Sequence, residues 1–316
     1  MNLITIEDVH AAAERIRGAA VRTPLLPCDW ADVDRPLWLK PENLQPVGAF
    51  KIRGAANAMA RIPASARANG VVAYSSGNHA QAVAYMAKRL GLPAVIVVPE
   101  NTPATKIEAS RRHGAEVVVV PITDRELVAA RLVAERGATL VPPFDHADVI
   151  AGQGTIGLEI AADLPEVEVV LVPVSGGGLA AGVATAIRAC CPAAVVIGVE
   201  PELAGDVAAS FAAGHRVLWS AQDRARTIAD GLRATPSELT FAHLTQRVDA
   251  MVTVSEDEIR AAVATLATCA NLVAEPSGAV TTAAYLHRAA DLPTGRTVAV
   301  VSGGNVDRWL LAELLG

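Results

Sequence analysis

Ala49-Phe50-Lys51-Ile52-Arg53-Gly54 sets a lysine among apolar neighbours in a chain of 316 residues that has only four: Lys40, Lys51, Lys88 and Lys106. Arginine supplies the rest of the 27 basic side chains. An amine flanked by Phe50 and Ile52 is partly desolvated. Desolvation disfavours the ammonium form and leaves a neutral nucleophile able to form a Schiff base with a carbonyl compound. A surface lysine at a strand–helix junction is the plainer reading of the same six residues. Two further segments tip the balance, Ser75-Ser76-Gly77-Asn78-His79 and Ser175-Gly176-Gly177-Gly178-Leu179. Each follows a strand-like apolar run and opens a helix-like one.

Around these segments, short apolar runs rich in β-branched residues alternate with helical patterns. Strands are expected at Gly70–Tyr74, Ala94–Val98, Glu116–Val120, Thr139–Val141, Val169–Val174, Val195–Val199 and Thr297–Val301. Helices are expected at His79–Leu90, Ala104–His113, Asp124–Arg136, Gly154–Asp163 and Leu179–Ala189, with Gly91 and Gly137 marking ends. The alternation implies βαβ units and an α/β fold of mainly parallel, twisted sheets flanked by helices. The run from about 70 to 141 is a self-sufficient series, read as a smaller lobe (67–145) inserted in a larger one (1–66 and 146–316). A small-molecule site is expected between the lobes, at the carboxyl ends of the strands.

Composition excludes several classes of function. The chain is 52% hydrophobic and 19% charged, with a net charge of −6 and no basic run beyond Arg111-Arg112-His113. Neither a nucleic acid nor an anionic membrane has a footprint to bind. Val169–Ile187 is uncharged, but Pro173 and three consecutive glycines make it a strand, a turn and a helix rather than a membrane span. The opening Met1-Asn2-Leu3-Ile4-Thr5-Ile6 lacks the pattern of a signal peptide. Cys28, Cys190, Cys191 and Cys269 show no pairing pattern and read as reduced, buried thiols of a cytoplasmic protein.

The glycine segment is a phosphate cradle in physical terms: its backbone N–H groups can approach an anion closely, and the helix N-terminus adds a favourable dipole. It lacks the Lys-Ser/Thr ending of a P-loop, and a tight turn for helix–sheet packing accounts for it equally well. Ser75–His79 offers hydroxyls and amides to a carboxylate or ring oxygen, or simply caps a helix.

Taken together, these segments resemble the fold type II (tryptophan synthase β-like) pyridoxal-phosphate enzymes, within the threonine/serine dehydratase and serine racemase branch. The likeness runs from Arg22-Thr23-Pro24-Leu25 through Ala151-Gly152-Gln153-Gly154-Thr155 to Ser302-Gly303-Gly304-Asn305-Val306-Asp307. It implies that Lys51 carries the cofactor, that Phe50 packs on its ring and that Asn78 bonds its phenolic oxygen. Gly176, Gly177, Gly178 and Leu179 would hold the phosphate, and Ser302 would face the pyridine nitrogen. Ser75, Gly77, Asn78 and His79 would receive the substrate carboxylate. The implied reaction is dehydration of L-threonine or L-serine to a 2-oxo acid and ammonia, with Lys51 as general base. Serine racemase and L-threo-3-hydroxyaspartate dehydratase are the alternatives, and a homodimer is expected.

Two features bear on the branch. Ser76 matches the position serine racemases use as proton donor opposite the lysine, where many threonine dehydratases carry alanine; a helix-cap hydroxyl is the competing reading. In Glu200-Pro201-Glu202-Leu203-Ala204-Gly205-Asp206, the resemblance implies a divalent cation (Mg²⁺, Ca²⁺ or Mn²⁺) on Glu200, the Ala204 carbonyl and Asp206. Two carboxylates and a carbonyl suit a hard ion. Pro142-Pro143-Phe144-Asp145 departs from the commoner His-Pro start and carries no expected role. Ala234 lacks a hydroxyl that some racemases place near the substrate.

Overall fold

Two sheets organise residues 2–316, the part of the chain described by the computed structural model. The strands are β1 (Leu26–Cys28), β2 (Leu37–Pro41), β3 (Val71–Tyr74), β4 (Ala94–Pro99), β5 (Glu116–Val120), β6 (Thr139–Leu140), β7 (Val169–Pro173), β8 (Val195–Pro201), β9 (Ala250–Val254) and β10 (Thr297–Val301). The larger sheet has the order β1-β2-β10-β7-β8-β9, antiparallel only at β1–β2. The smaller one, β5-β4-β3-β6, is wholly parallel. Every residue of β4, β7 and β10 is buried. Burial on both faces is what continuous Val/Ile runs under flanking helices produce.

The helices that matter for the site are α1 (Ile6–Arg15), α2 (Lys51–Ala60), α3 (Asn78–Leu90), α4 (Ala104–Arg112), α5 (Arg125–Arg136), α6 (Ala147–Asp163), α7 (Gly178–Cys190) and α8 (Asp206–Ala213). The smaller sheet lies in the chain between α2 and α6, so one α/β lobe is inserted in another, as expected. Gly91 and Gly137 close α3 and α5 in the left-handed conformation, at φ 67° and 63°.

All seven expected strands form. The sequence reading missed β1, β2, β9, α1, α2, α8 and every helix beyond α8, and it started α6 seven residues late, at 154 rather than 147. Gly152 and Gly154 explain the late start, because glycine weakens a helix interior. Here they are required for close approach. A Cβ on Gly152 would stand 2.6 Å from the Arg53 carbonyl, and one on Gly154 would stand 2.9 Å from the Gly182 carbonyl. Helix α6 is thereby wedged between α2, which begins at Lys51, and α7, which begins at the glycine segment.

A buried charge network locks the same wedge. Arg53 donates to both oxygens of Glu42 at 2.8 Å and to both oxygens of Glu159 at 2.7 and 2.8 Å. Lys40 donates to Glu159 and to the Thr23 carbonyl at 2.6 Å. Burial alone would raise the Glu42 carboxyl, but the Arg53 guanidinium overrides it and holds it below its ordinary value. Two positive and two negative groups satisfy one another, and removing one partner from such a set costs on the order of 3–5 kcal/mol.

The expectation of four buried thiols is corrected: Cys191 is buried and Cys28 half-buried, but Cys190 and Cys269 are exposed. Each exposed thiol is the last residue of its helix, where the helix runs past the core. All four cysteines are free. Among the described residues no helix is long and apolar enough to cross a membrane.

Candidate active site

One cavity of about 410 Å³ lies between the sheets, and it gathers residues distant in sequence. Phe50, Lys51, Ser75–His79, Gly176–Leu179 and Ser302 all line it. Glu200, Ala204 and Asp206 do not; they form a separate cluster at the end of β8.

Lys51 is the first residue of α2, and the backbone around it is tied to the end of β10. The Phe50 N–H donates to the Ser302 carbonyl at 3.1 Å, and Ala49 bridges Gly303. The Lys51 amine donates to the Pro143 carbonyl at 2.8 Å and lies 5.0 Å from the Phe50 ring centroid. Burial, with no carboxylate to oppose it, lowers the amine to about 8. The neutral nucleophile is therefore far more accessible near neutrality than on an exposed lysine.

Two helix N-termini point into the cavity. At the start of α7, the N–H groups of Gly176, Gly177, Gly178 and Leu179 have no acceptor among the described residues. At the start of α3, the Ser76, Asn78 and His79 N–H groups are likewise free, while that of Gly77 bonds the Ser75 hydroxyl. Orphan donors at a helix start are an anion site. His79 donates through Nε2 to the Val141 carbonyl at 2.8 Å. Burial and the nearby Lys51 charge lower its ring to about 3, so it is neutral, with a buried, unpartnered Nδ1 acceptor. The Ser302 hydroxyl contacts the Ser277 carbonyl at 3.4 Å, a long bond that leaves it free to turn toward a ligand.

Several cavity residues were not foreseen. Pro143 offers a backbone carbonyl, which has no side-chain signature. The Phe144 ring backs the glycine segment. Glu275, buried beside Asn78, accepts from its amide at 2.6 Å. Lys106 of α4 and Asp230 form an ion pair across the two lobes at the cavity. Only Glu275-Pro276, an acidic residue at a helix start, left a trace in the sequence.

In the separate cluster, Glu200 accepts the Val207 and Ala208 N–H groups at 3.3 and 2.8 Å. Burial raises its carboxyl well above the ordinary value. Burial also raises that of Asp206, although Thr235 and Arg224 stand close enough to pull it back. Neither Asp206 oxygen has a partner at hydrogen-bond geometry. Orphaned buried oxygens fit a cation, but among the described residues no three His, Cys, Asp or Glu side chains come together.

A protein family described as "Pyridoxal-phosphate dependent enzyme" matches residues 16–303, and the chain belongs to it. An L-threonine ammonia-lyase of Geobacter sulfurreducens is 44% identical over 304 residues, covering 95% of this chain and 75% of that protein. An L-threo-3-hydroxyaspartate ammonia-lyase of Saccharomyces cerevisiae is 39% identical, covering 98% of this chain and 96% of that protein. The solved structure of maize serine racemase superposes with a TM-score of 0.94 at 37% identity, covering 99% of this chain and 97% of that one. The chain is thus a fold type II pyridoxal-phosphate enzyme of the dehydratase and racemase branch. Its free N–H groups and depressed lysine fit the cofactor's phosphate and carbonyl.

Proposed function

We propose that the chain is a pyridoxal-phosphate-dependent L-threonine/L-serine ammonia-lyase that releases a 2-oxo acid and ammonia by α,β-elimination. One observation carries the reading: the weakly basic Lys51 amine shares a cavity with two sets of unpartnered N–H groups. When bound, pyridoxal phosphate supplies an electrophilic carbonyl carbon and an electron-withdrawing ring. Gly176, Gly177, Gly178 and Leu179 hold its phosphate, Phe50 packs on its ring, and Asn78 donates to its ring oxygen. Ser302 would serve the ring nitrogen, and a hydroxyl would be a weaker partner for a positive ring than a carboxylate. That weakness favours elimination over chemistry that stores charge on the ring. Ser75, Gly77, Asn78 and His79 receive the substrate carboxylate. The Lys51 amine takes the α-proton as general base.

Two other substrate assignments draw on specific residues. The Ser76 hydroxyl lines the same cavity as Lys51, which supports serine racemase, with Ser76 as second acid/base. Arg224 and Arg233 also line it, neither of them in a salt bridge among the described residues, and such cations suit the second carboxylate of L-threo-3-hydroxyaspartate, whereas Lys106 and Arg125 are paired with Asp230 and Glu126. Incubation of the cofactor-loaded protein with L-serine, followed by chiral chromatography, separates the readings. Pyruvate without D-serine supports the ammonia-lyase and reduces Ser76 to binding or capping. Comparable D-serine makes the protein a racemase. Neither product rules out both serine activities and directs the search to other hydroxy-amino acids, L-threonine and 3-hydroxyaspartate among them.

The same reading includes a divalent cation (Mg²⁺, Ca²⁺ or Mn²⁺) on Glu200, the Ala204 carbonyl and Asp206, supported by the orphaned Asp206 oxygens. Exhaustive chelation is expected to lower the melting temperature and the rate, because a ligand bound only to the native state stabilises it. An unchanged melt and rate would count against the ion. A homodimer, a cytoplasmic location and lobe boundaries at residues 67 and 145 complete the proposal.

A further inference from the structure

Asn78 is gripped from two sides. Its Oδ1 accepts from Asn305 Nδ2 at 2.8 Å, and its Nδ2 donates to Glu275 Oε1 at 2.6 Å. Asn305 Nδ2 also donates to the Val47 carbonyl at 2.7 Å, so Asn305 presents Asn78 with a donor only. An amide offered a donor on one side and a carboxylate on the other has one possible orientation. One Asn78 N–H is left over, on a residue that lines the cavity.

Glu275 stands at the N-cap of the helix Pro276–His287 yet caps nothing; its side chain turns instead to Asn78, 197 residues away. It is 5% exposed and lines the same cavity. The backbone is shaped around it. Its own N–H donates to the Gly303 carbonyl at 3.0 Å, and a Cβ on Gly303 would stand 2.3 Å from its Oε1.

We infer that Glu275 is a positioning residue for the cofactor's ring oxygen: by accepting one Asn78 N–H it aims the other at that oxygen, and its own charge opposes negative charge there. The inference rests on the proposed reading in one respect, that Asn78 faces the ring oxygen. Burial raises the Glu275 carboxyl to about 7, with Asp230 adding to the rise and Asn78 and Lys106 opposing it. Asp230, from the turn Asp230–Leu232, and Lys106, from α4, are the charged groups that face it, and they are paired with each other. Ionisation of Glu275 through neutrality therefore sets a like charge one amide away from the ring oxygen, which disfavours the oxygen's anionic form.

The test titrates the visible absorbance of the bound cofactor from below to above neutrality, with cofactor affinity measured alongside. Wild-type holoenzyme shows an absorbance step near neutrality. Glu275→Gln keeps an acceptor for Asn78 but no charge; it binds the cofactor as wild type does and loses the step. Glu275→Leu leaves a buried donor unpaired and weakens cofactor binding about tenfold. Combined with Asn78→Ala, Glu275→Leu weakens binding no further than Asn78→Ala alone, since the two act through one contact. A step that persists in Glu275→Gln, or losses that add in the double variant, overturns the inference while the cofactor reading stands. A wild-type protein with no lysine-linked absorbance overturns both.

Discussion

At the start of α7, side chains are shut out: a Cβ on Gly176 would lie 2.4 Å from the Phe144 ring, and one on Gly177 would lie 2.9 Å from Thr240. At the start of α3, a Cβ on Gly77 would meet nothing within 4 Å. Both are helix N-termini with free N–H groups on one cavity, yet one is braced from behind and the other stands in open space. The braced end belongs to the larger sheet, through β7. The open end belongs to the smaller sheet, through β3, and bears two serine hydroxyls. A fixed cradle suits a ligand that never varies, such as a cofactor phosphate. An open, hydroxyl-lined turn suits one that changes with every turnover.

Lys51 lies between the two ends, and Lys51→Ala gives the largest expected effect: turnover and the lysine-linked absorbance both vanish. Normal activity in that variant would end the comparison by removing its centre. Next, Gly177→Ala forces a left-handed residue (φ 87°) and a contact with Thr240. Overpacking of this kind costs on the order of 1–3 kcal/mol, so a cofactor titration should read roughly a ten- to hundredfold loss of affinity. Wild-type affinity would show that the bracing is incidental. The pH dependence of cofactor capture by the apoprotein comes third. The Lys51 amine is protonated below about 8 and neutral above it, so the capture rate climbs through neutrality and levels off past that value. A flat profile would mean that burial does not set the amine. The smallest effect belongs to Gly77→Ala, which leaves cofactor affinity alone and moves only the KM for a hydroxy-amino acid. Cofactor loss there would erase the contrast between the two ends.

The contrast also explains what could be read in the sequence. Strands β3, β4, β7 and β10 were legible because burial on both faces leaves a continuous apolar run. The two N-termini were legible because small residues follow those runs directly. Strand β2 and helix α2 escaped because they bear Lys40 and Arg53, charges that a one-dimensional reading assigns to the surface. Only Glu42 and Glu159, brought in by the fold, make those positions habitable. Pro143 escaped because it acts through its backbone, and Phe144 because its role is to press on glycines 32 or more residues further along. Glu275 escaped because its partner lies in the other lobe.

The seam between α2 and α6 has a consequence for the architecture. Where the chain leaves the larger lobe, Arg61 pairs with Asp148, where it returns, at 3.1 Å, and Asn57 donates to the Asp148 carbonyl at 2.7 Å. The inserted segment therefore departs and re-enters at one spot, like a cassette held by its two ends. Closing such an excursion costs entropy that grows only with the logarithm of its length. Natural variation can thus lengthen or trim the smaller lobe at its periphery, whereas Asn78, Pro143 and Phe144, which that lobe lends to the lysine and the cradle, stay tied to the larger one. In this layout the outer flank of the inserted lobe is free to diverge, and its rim on the cavity is not.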